Sequence, residues 1–217
     1  MTAPYWSLPY LVSSVPILMI LTRTVQPTTG AAGRGRAFYR TSLFFILVWE
    51  ALDLVNLFIP LGENLTSNLI NRLLFVSVSL VVCFFVLSSI YLQGTPRLFQ
   101  KLIAVSPPIL TGILNLLDPF TTFFGSFGWR GDFANSMLRD IWLTVTLGVL
   151  VWSLVNLYLL RGKTVDPRIR RRMTYFVAGY LVAFVSGFFV YLFVNSGLEL
   201  SVVAVGVSLI ISAPAFG

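Results

Sequence analysis

The sequence predicts an all-α membrane protein, a single bundle of seven transmembrane helices with the N-terminus outside and the C-terminus in the cytoplasm. Three observations predict it. Only 11% of the 217 residues are charged and 57% are apolar, whereas a soluble domain carries about 25% charged residues. The apolar residues gather in windows of about 20, the length at which a helix crosses about 30 Å of hydrocarbon. The basic residues alternate between successive connections in the manner that sets membrane orientation.

The first window runs from about Tyr5 to Leu21, the second from about Thr41 to Pro60, and the third from about Leu73 to Leu92. The fourth, about Leu98 to Leu117, contains Pro107 and Pro108 and should be kinked there. The fifth spans about Ile141 to Leu160, the sixth about Met173 to Val194 and the seventh about Leu200 to Gly217. No Lys or Arg precedes Thr22, so the first window lacks the positive leader of a signal peptide and reads as a span. Such long runs argue against an outer-membrane barrel, whose strands alternate over about ten residues.

Twelve of the fifteen basic residues fall in the first, third and fifth connections. Arg23, Arg34, Arg36 and Arg40 lie in the first, Arg97 and Lys101 in the third, and Arg161, Lys163, Arg168, Arg170, Arg171 and Arg172 in the fifth. The second and fourth hold Arg72, Arg130 and Arg139, and the sixth holds none. Basic residues near helix ends stay cytoplasmic, so the odd connections face inward. Of the acidic residues outside the helices, Glu63, Asp118, Asp132, Asp140 and Glu199 then face outward and Asp166 inward. One helix too many or too few would put the later basic connections on the wrong side. Aromatic residues suit the interfaces: Tyr5, Trp6, Tyr10, Trp129, Trp142 and Tyr191 outside, Tyr39, Tyr91, Tyr158 and Tyr175 inside.

The longest outer connection, DPFTTFFGSFGWRGDFANS from Asp118 to Ser136, is rich in aromatics and glycine. It reads as a cap that folds back onto the bundle through a short interfacial helix, a loose loop being the alternative. The seventh window reaches Gly217 with no basic residue after it, so the single domain 1–217 is expected to continue into a cytoplasmic linker or output domain.

The sharpest chemical feature lies in the second window. Glu50 sits about 14 Å from the inner end at 1.5 Å per residue, near the midplane. Glu50 and Asp53, three residues apart, share a helix face that Asn56 continues outward. A carboxylate in hydrocarbon costs several kcal/mol, so both must face the bundle interior or take up a proton. Their mutual repulsion favours a single shared charge. Function assigns them to a buried pocket for a small ligand, an ion or a proton. Structure alone would pair Asp53 with Arg72 and leave Glu50 hydrogen-bonded to a neighbouring helix. Asn115, Thr144, Thr146, Asn156, Tyr180, Ser186 and Tyr191 could line such a pocket, though each alone reads as a packing contact. The basic run Arg168 to Arg172 reads as a topology anchor, or as a contact for anionic lipid or a downstream domain.

Several chemistries are not signalled. Cys83 is the one cysteine, so no intrachain disulfide forms, and histidine is absent. There is no metal cluster, phosphate-cradling loop or nucleophile–base pair, so this segment reads as non-catalytic, without metal or cofactor. Retinal is disfavoured because the seventh window has no Lys; the lysines are Lys101 and Lys163. Asn64-Leu65-Thr66 fits a glycosylation sequon, which matters only in a secretory pathway, and Arg130-Gly131-Asp132 fits an integrin tripeptide at the frequency of chance.

Trp49-Glu50 in the second window, the proline-bearing fourth window leading to Asn115-Leu-Leu-Asp118-Pro119, the aromatic connection before Trp142, and Leu159-Leu160-Arg161 followed by Arg170-Arg171-Arg172 are together a diffuse pattern over most of the chain. In these the chain resembles the seven-helix N-terminal sensor region of prokaryotic histidine kinases. The resemblance implies a sensor that passes a signal through its seventh helix to a cytoplasmic output domain, in the plasma (inner) membrane of a prokaryote. It transfers no binding residues beyond the second-helix position.

The leading expectation is therefore a membrane receptor or sensor module that uses Glu50, Asp53, Asn56 and Arg72. A small proton or cation transporter or channel, and a non-catalytic subunit of a membrane complex, are the alternatives. The expected partners are the lipid bilayer, a small ligand or a proton, and a second copy in a homodimer; nucleic acid is not expected, because the excess of positive charge is explained by topology.

Overall fold

A computed structural model describes residues 14–15, 17–21, 30–59, 64–117, 120–125 and 128–193. The first window is helical at residues 14–15 and 17–21 (α1). There follow α2 (Gly30–Leu57), α3 (Asn64–Leu92), α4 (Leu98–Leu117), a hairpin of β1 (Phe120–Gly125) and β2 (Gly128–Phe133), α5 (Ser136–Lys163) and α6 (Pro167–Phe193). Three of these helices, α3, α4 and α5, are long and apolar enough to cross a membrane, which makes the chain a multi-pass membrane protein. The window Leu200 to Gly217, the aromatic anchors Tyr5, Trp6 and Tyr10, and the side chains of Tyr180, Ser186 and Tyr191 lie outside the described residues.

The bounds of α4 coincide with the predicted window, whereas α2 and α3 start well before theirs. The physical reason is that hydropathy marks only the lipid-immersed part of a helix. Backbone hydrogen bonding propagates cooperatively into polar flanks such as Gly30 to Arg40. The ends are set by local chemistry. Gly94, at φ +134°, lets the chain leave α3 and turn into α4. Asn135 caps α5, its Oδ1 accepting from Met137 N at 3.0 Å. Asp166 does the same for α6 through Arg168 N at 2.8 Å, with Pro167 in the first turn. Inside α4, Pro107 cannot donate to the Ile103 carbonyl, and Ser106 Oγ does so instead at 2.8 Å.

Contacts across the helices fix their order. Ser42 Oγ donates to Val81 O at 3.1 Å and Gly35 lies against Ser88 and Tyr91, so α2 and α3 are antiparallel. Ser79 meets Thr111 of α4 at 2.5 Å and Ser89 meets Ser153 of α5 at 2.6 Å. Arg161 bonds Thr174 across the corner between α5 and α6. The start of α2, the α3–α4 corner and the α5–α6 corner therefore share one end of the bundle, the basic end. It gathers Arg34, Arg36, Arg40, Arg97, Lys101, Arg161, Lys163 and the run Arg168 to Arg172. The hairpin stands at the other.

α3 is the central helix: 67% of its span is buried, against 22% for α4 and α5. At the basic end its Val81 and Phe85 pack with Ile17, Tyr39, Leu43, Ile46, Leu157, Met173 and Phe176 from α1, α2, α5 and α6. Tyr39, beside Arg40 at the basic end, is fully buried and faces Phe176.

The outer connection does cap the bundle, but as an antiparallel hairpin and not as the expected interfacial helix, pairing Phe120 with Phe133 through to Gly125 with Gly128. Residues rich in Phe, Trp and Thr, with a glycine at each inner strand end, suit two short strands. Phe133 is buried against Phe75, with ring centroids 5.0 Å apart, and beside Trp142. Arg130-Gly131-Asp132 lies on β2.

Candidate functional site

Residues Tyr39, Leu43, Ile46, Glu50, Asp53 and Asn56 recur at helical spacing and are all buried, so α2 presents them as one stripe. The stripe changes chemistry along its length. It is apolar toward the basic end and carries two carboxylates and an amide toward the hairpin. Glu50, Asp53 and Asn56 are only 3%, 6% and 2% exposed. The expected face of Glu50, Asp53 and Asn56 is thus the one that α2 turns to the interior.

α3 supplies the opposing surface. Asn56 Nδ2 donates to Asn71 Oδ1 and Ser67 Oγ donates to Asn56 Oδ1, both at 3.4 Å. Asn71 Nδ2 in turn donates to the Ser67 carbonyl at 2.8 Å and to Ser67 Oγ at 3.3 Å. Each amide thereby uses both its ends, and the network is buried. With Ser42 level with Val81 and Asn56 level with Ser67 and Asn71, the antiparallel register puts Glu50 level with Leu74 and Ser77. Both are buried. Glu50 is thus covered by protein, in the half of the bundle nearer the hairpin.

Arg72 follows Asn71 by about 100° of helix rotation and turns toward α4. Its Nε donates to Asn68 Oδ1 at 2.8 Å, and Nη1 donates to the carbonyl of Asn115 at the end of α4. Asn115 therefore joins this region through its backbone. Capping the last carbonyls of α4 with a guanidinium is favourable, because a helix C-terminus carries partial negative charge. Of the expected residues, Glu50, Asp53 and Asn56 share the α2–α3 interface, and Arg72 ties α3 to α4.

Sequence reasoning missed Ser67 and Asn71, the partners of Asn56. The signal was there: they are spaced i, i+4 in the polar first turns of α3. It also missed a second polar seam on the other side of α3. Trp142 Nε1 donates to Thr111 Oγ1 at 2.7 Å and lies 3.3 Å from Ser79 Oγ. Trp142, near the hairpin end of α5, is buried, and its indole N–H finds two hydroxyl acceptors inside the bundle. Thr146, one turn further, is also buried, whereas Thr144 points outward and Asn156 bonds its own helix at Trp152 O. Among the described residues no group of three or more His, Cys, Asp or Glu stands close enough to hold a metal ion.

Comparison of the chain with protein-family models and with curated proteins gives no match.

Proposed function

We propose that the chain is a sensor module of a prokaryotic plasma membrane. In this reading seven helices, with the N-terminus outside, pass a signal from the hairpin half of the bundle to a cytoplasmic output at the basic end. The observation that carries the reading is the buried α2 stripe whose hairpin half consists of Glu50, Asp53 and Asn56. Two carboxylates within three residues in a membrane bundle are costly, and their cost depends on charge state and on any bound cation. Taking up a proton or a small cationic ligand there changes what the α2–α3 interface prefers. That interface is the most extensive between helices among the described residues. At its other end Gly35 has no side chain and lets α2 lie close to the α3 backbone at Ser88, so a shift of α2 at Glu50 is expected to reach the basic end.

The test uses nitroxide labels on the full chain at Arg36→Cys and Arg97→Cys in a Cys83→Ser background, with distances measured in liposomes between about pH 5 and 9. The expected result is a pH-dependent change in distance that disappears in Glu50→Gln/Asp53→Asn. A wild-type distance that ignores pH, or a change that survives in the double variant, overturns proton sensing by this pair. Proton or cation flux through the same liposomes that depends on Glu50 would move the assignment to transport.

A further inference from the structure

The basic end holds a cluster that membrane orientation alone does not require. Arg161 Nε donates to Thr174 Oγ1 at 2.8 Å. On the next residue, Tyr175 Oη accepts from Arg171 Nε at 3.3 Å, and the Arg171 guanidinium lies 5.8 Å from the Tyr175 ring centre. Two guanidinium groups from different helices are thus held on adjacent side chains. Arg168, one turn before Arg171, lies on the same face of α6. Asp166 is the sole acidic residue at this end among the described residues, and its Oδ1 is engaged with the backbone N–H of Arg168. The three arginines lie around the α5–α6 corner, against the single carboxylate of Asp166.

We propose that Arg161, Arg168 and Arg171 form a binding site for the phosphate of an anionic phospholipid headgroup. A guanidinium whose Nε is already engaged keeps its two Nη groups as donors, the fork that matches a phosphate. Three positive charges at one corner against a single carboxylate leave a net positive field that favours an anion. The surroundings select a lipid over a soluble anion. Val165 at the α5–α6 corner is 95% exposed, and Tyr158, Leu159, Val155 and Val151 continue an exposed apolar surface along α5 from the cluster toward the membrane centre. A headgroup at the arginines would lay its acyl chains along that surface. The inference stands on the chain being a membrane protein and is independent of the sensor reading.

The experiment measures lipid retained by the full purified chain in a neutral detergent, by mass spectrometry of the intact complex. Dioleoyl phosphatidylglycerol is titrated against dioleoyl phosphatidylcholine, with inorganic phosphate as competitor. The wild type is expected to retain phosphatidylglycerol preferentially, and Arg161→Gln/Arg168→Gln/Arg171→Gln to lower its apparent affinity about tenfold. The control Arg34→Gln/Arg36→Gln/Arg97→Gln removes the same charge from the same end and is expected to change it less than about twofold. Equal losses in the two triple variants, or no preference in the wild type, would sink the site in favour of diffuse attraction. Displacement by millimolar phosphate would make the ligand a soluble anion and overturn the lipid assignment. If the glutamine triple fails to insert, Arg161→Lys/Arg168→Lys/Arg171→Lys, which keeps charge but loses the fork, is expected to weaken retention; an unchanged affinity there refutes phosphate recognition by the guanidinium groups.

Discussion

The indole of Trp142 on α5 donates its Nε1–H to the hydroxyl of Thr111 on α4 at 2.7 Å, and Thr111 in turn lies 2.5 Å from Ser79 on α3. Three helices therefore meet at one buried hydrogen-bonded point. Thr111 Oγ1 is also placed to donate to the Pro107 carbonyl, at 2.8 Å. Phe75 stacks edge-on to the indole at 5.0 Å and also touches Phe133 of the hairpin. The cap is thus joined to the three-helix junction through a single aromatic cluster.

Substitutions at Trp142 should separate the hydrogen bond from the packing. Trp142→Phe keeps most of the ring contact and loses the N–H donor, at an expected cost of about 1 kcal/mol. Trp142→Ala also removes the ring from Phe75 and Phe133, and should cost about 3–5 kcal/mol. Equilibrium unfolding in mixed micelles with increasing dodecyl sulfate reads both. Equal losses would mean that the aromatic packing contributes little and that the junction is held by the donor alone.

The glycines make opposite predictions according to what faces them. A Cβ on Gly35 would stand 3.3 Å from Ser88 O and 3.3 Å from Tyr91 Cβ, tighter than ordinary contact with backbone on one side. Gly35→Leu must therefore push α2 away from α3, with an expected cost of about 1–3 kcal/mol from overpacking. Gly148 faces open space on the lipid side of α5. Gly148→Ala should be neutral or stabilising by up to about 1 kcal/mol, the helix propensity that glycine forgoes. The same micelle titration checks both, and a Gly35→Leu variant as stable as wild type would show that α2 and α3 can separate freely at the basic end.

Particular residues show where sequence reading succeeds and where it stops. The limits of α4 were legible because its apolar run is bounded by Arg97 and Asp118, so the lipid-immersed stretch and the helix coincide. The start of α2 was not, because Gly30 to Arg40 is polar and hydropathy reports the solvent, not the backbone. The stripe of Glu50, Asp53 and Asn56 was legible from spacing, since a carboxylate in an apolar run has only one face to occupy. Its partners Ser67 and Asn71 were not singled out. Small hydroxyl residues in a helix bond their own backbone, as Ser88 does to Phe85 O and Ser89 to Val86 O, so they blend with the apolar pattern. Which of them also reach across, as Ser89 does to Ser153, depends on how the helices are arranged around α3. No single helix encodes that arrangement. That Trp142 and Tyr39 face inward was not legible for the same reason: it depends on a hydroxyl or an aromatic ring that another helix brings to them.

Orientation is open to direct labelling. The inter-helix contacts place Arg34, Arg97 and Arg170 at one end and the hairpin at the other, whichever way the bundle lies in the bilayer. Charged side chains resist translocation, so the basic end should be the cytoplasmic one. Cys83 is buried, which keeps the native thiol from obscuring an introduced one. Arg34→Cys and Arg170→Cys should both resist an impermeant maleimide added to intact cells and react once the membrane is opened. Thr121→Cys, exposed on β1, should react in intact cells without that step. Labelling of Arg34→Cys and Thr121→Cys from the same side would break the antiparallel order of α2, α3 and α4. The α2–α3 site could then not be retained, since its register rests on that order.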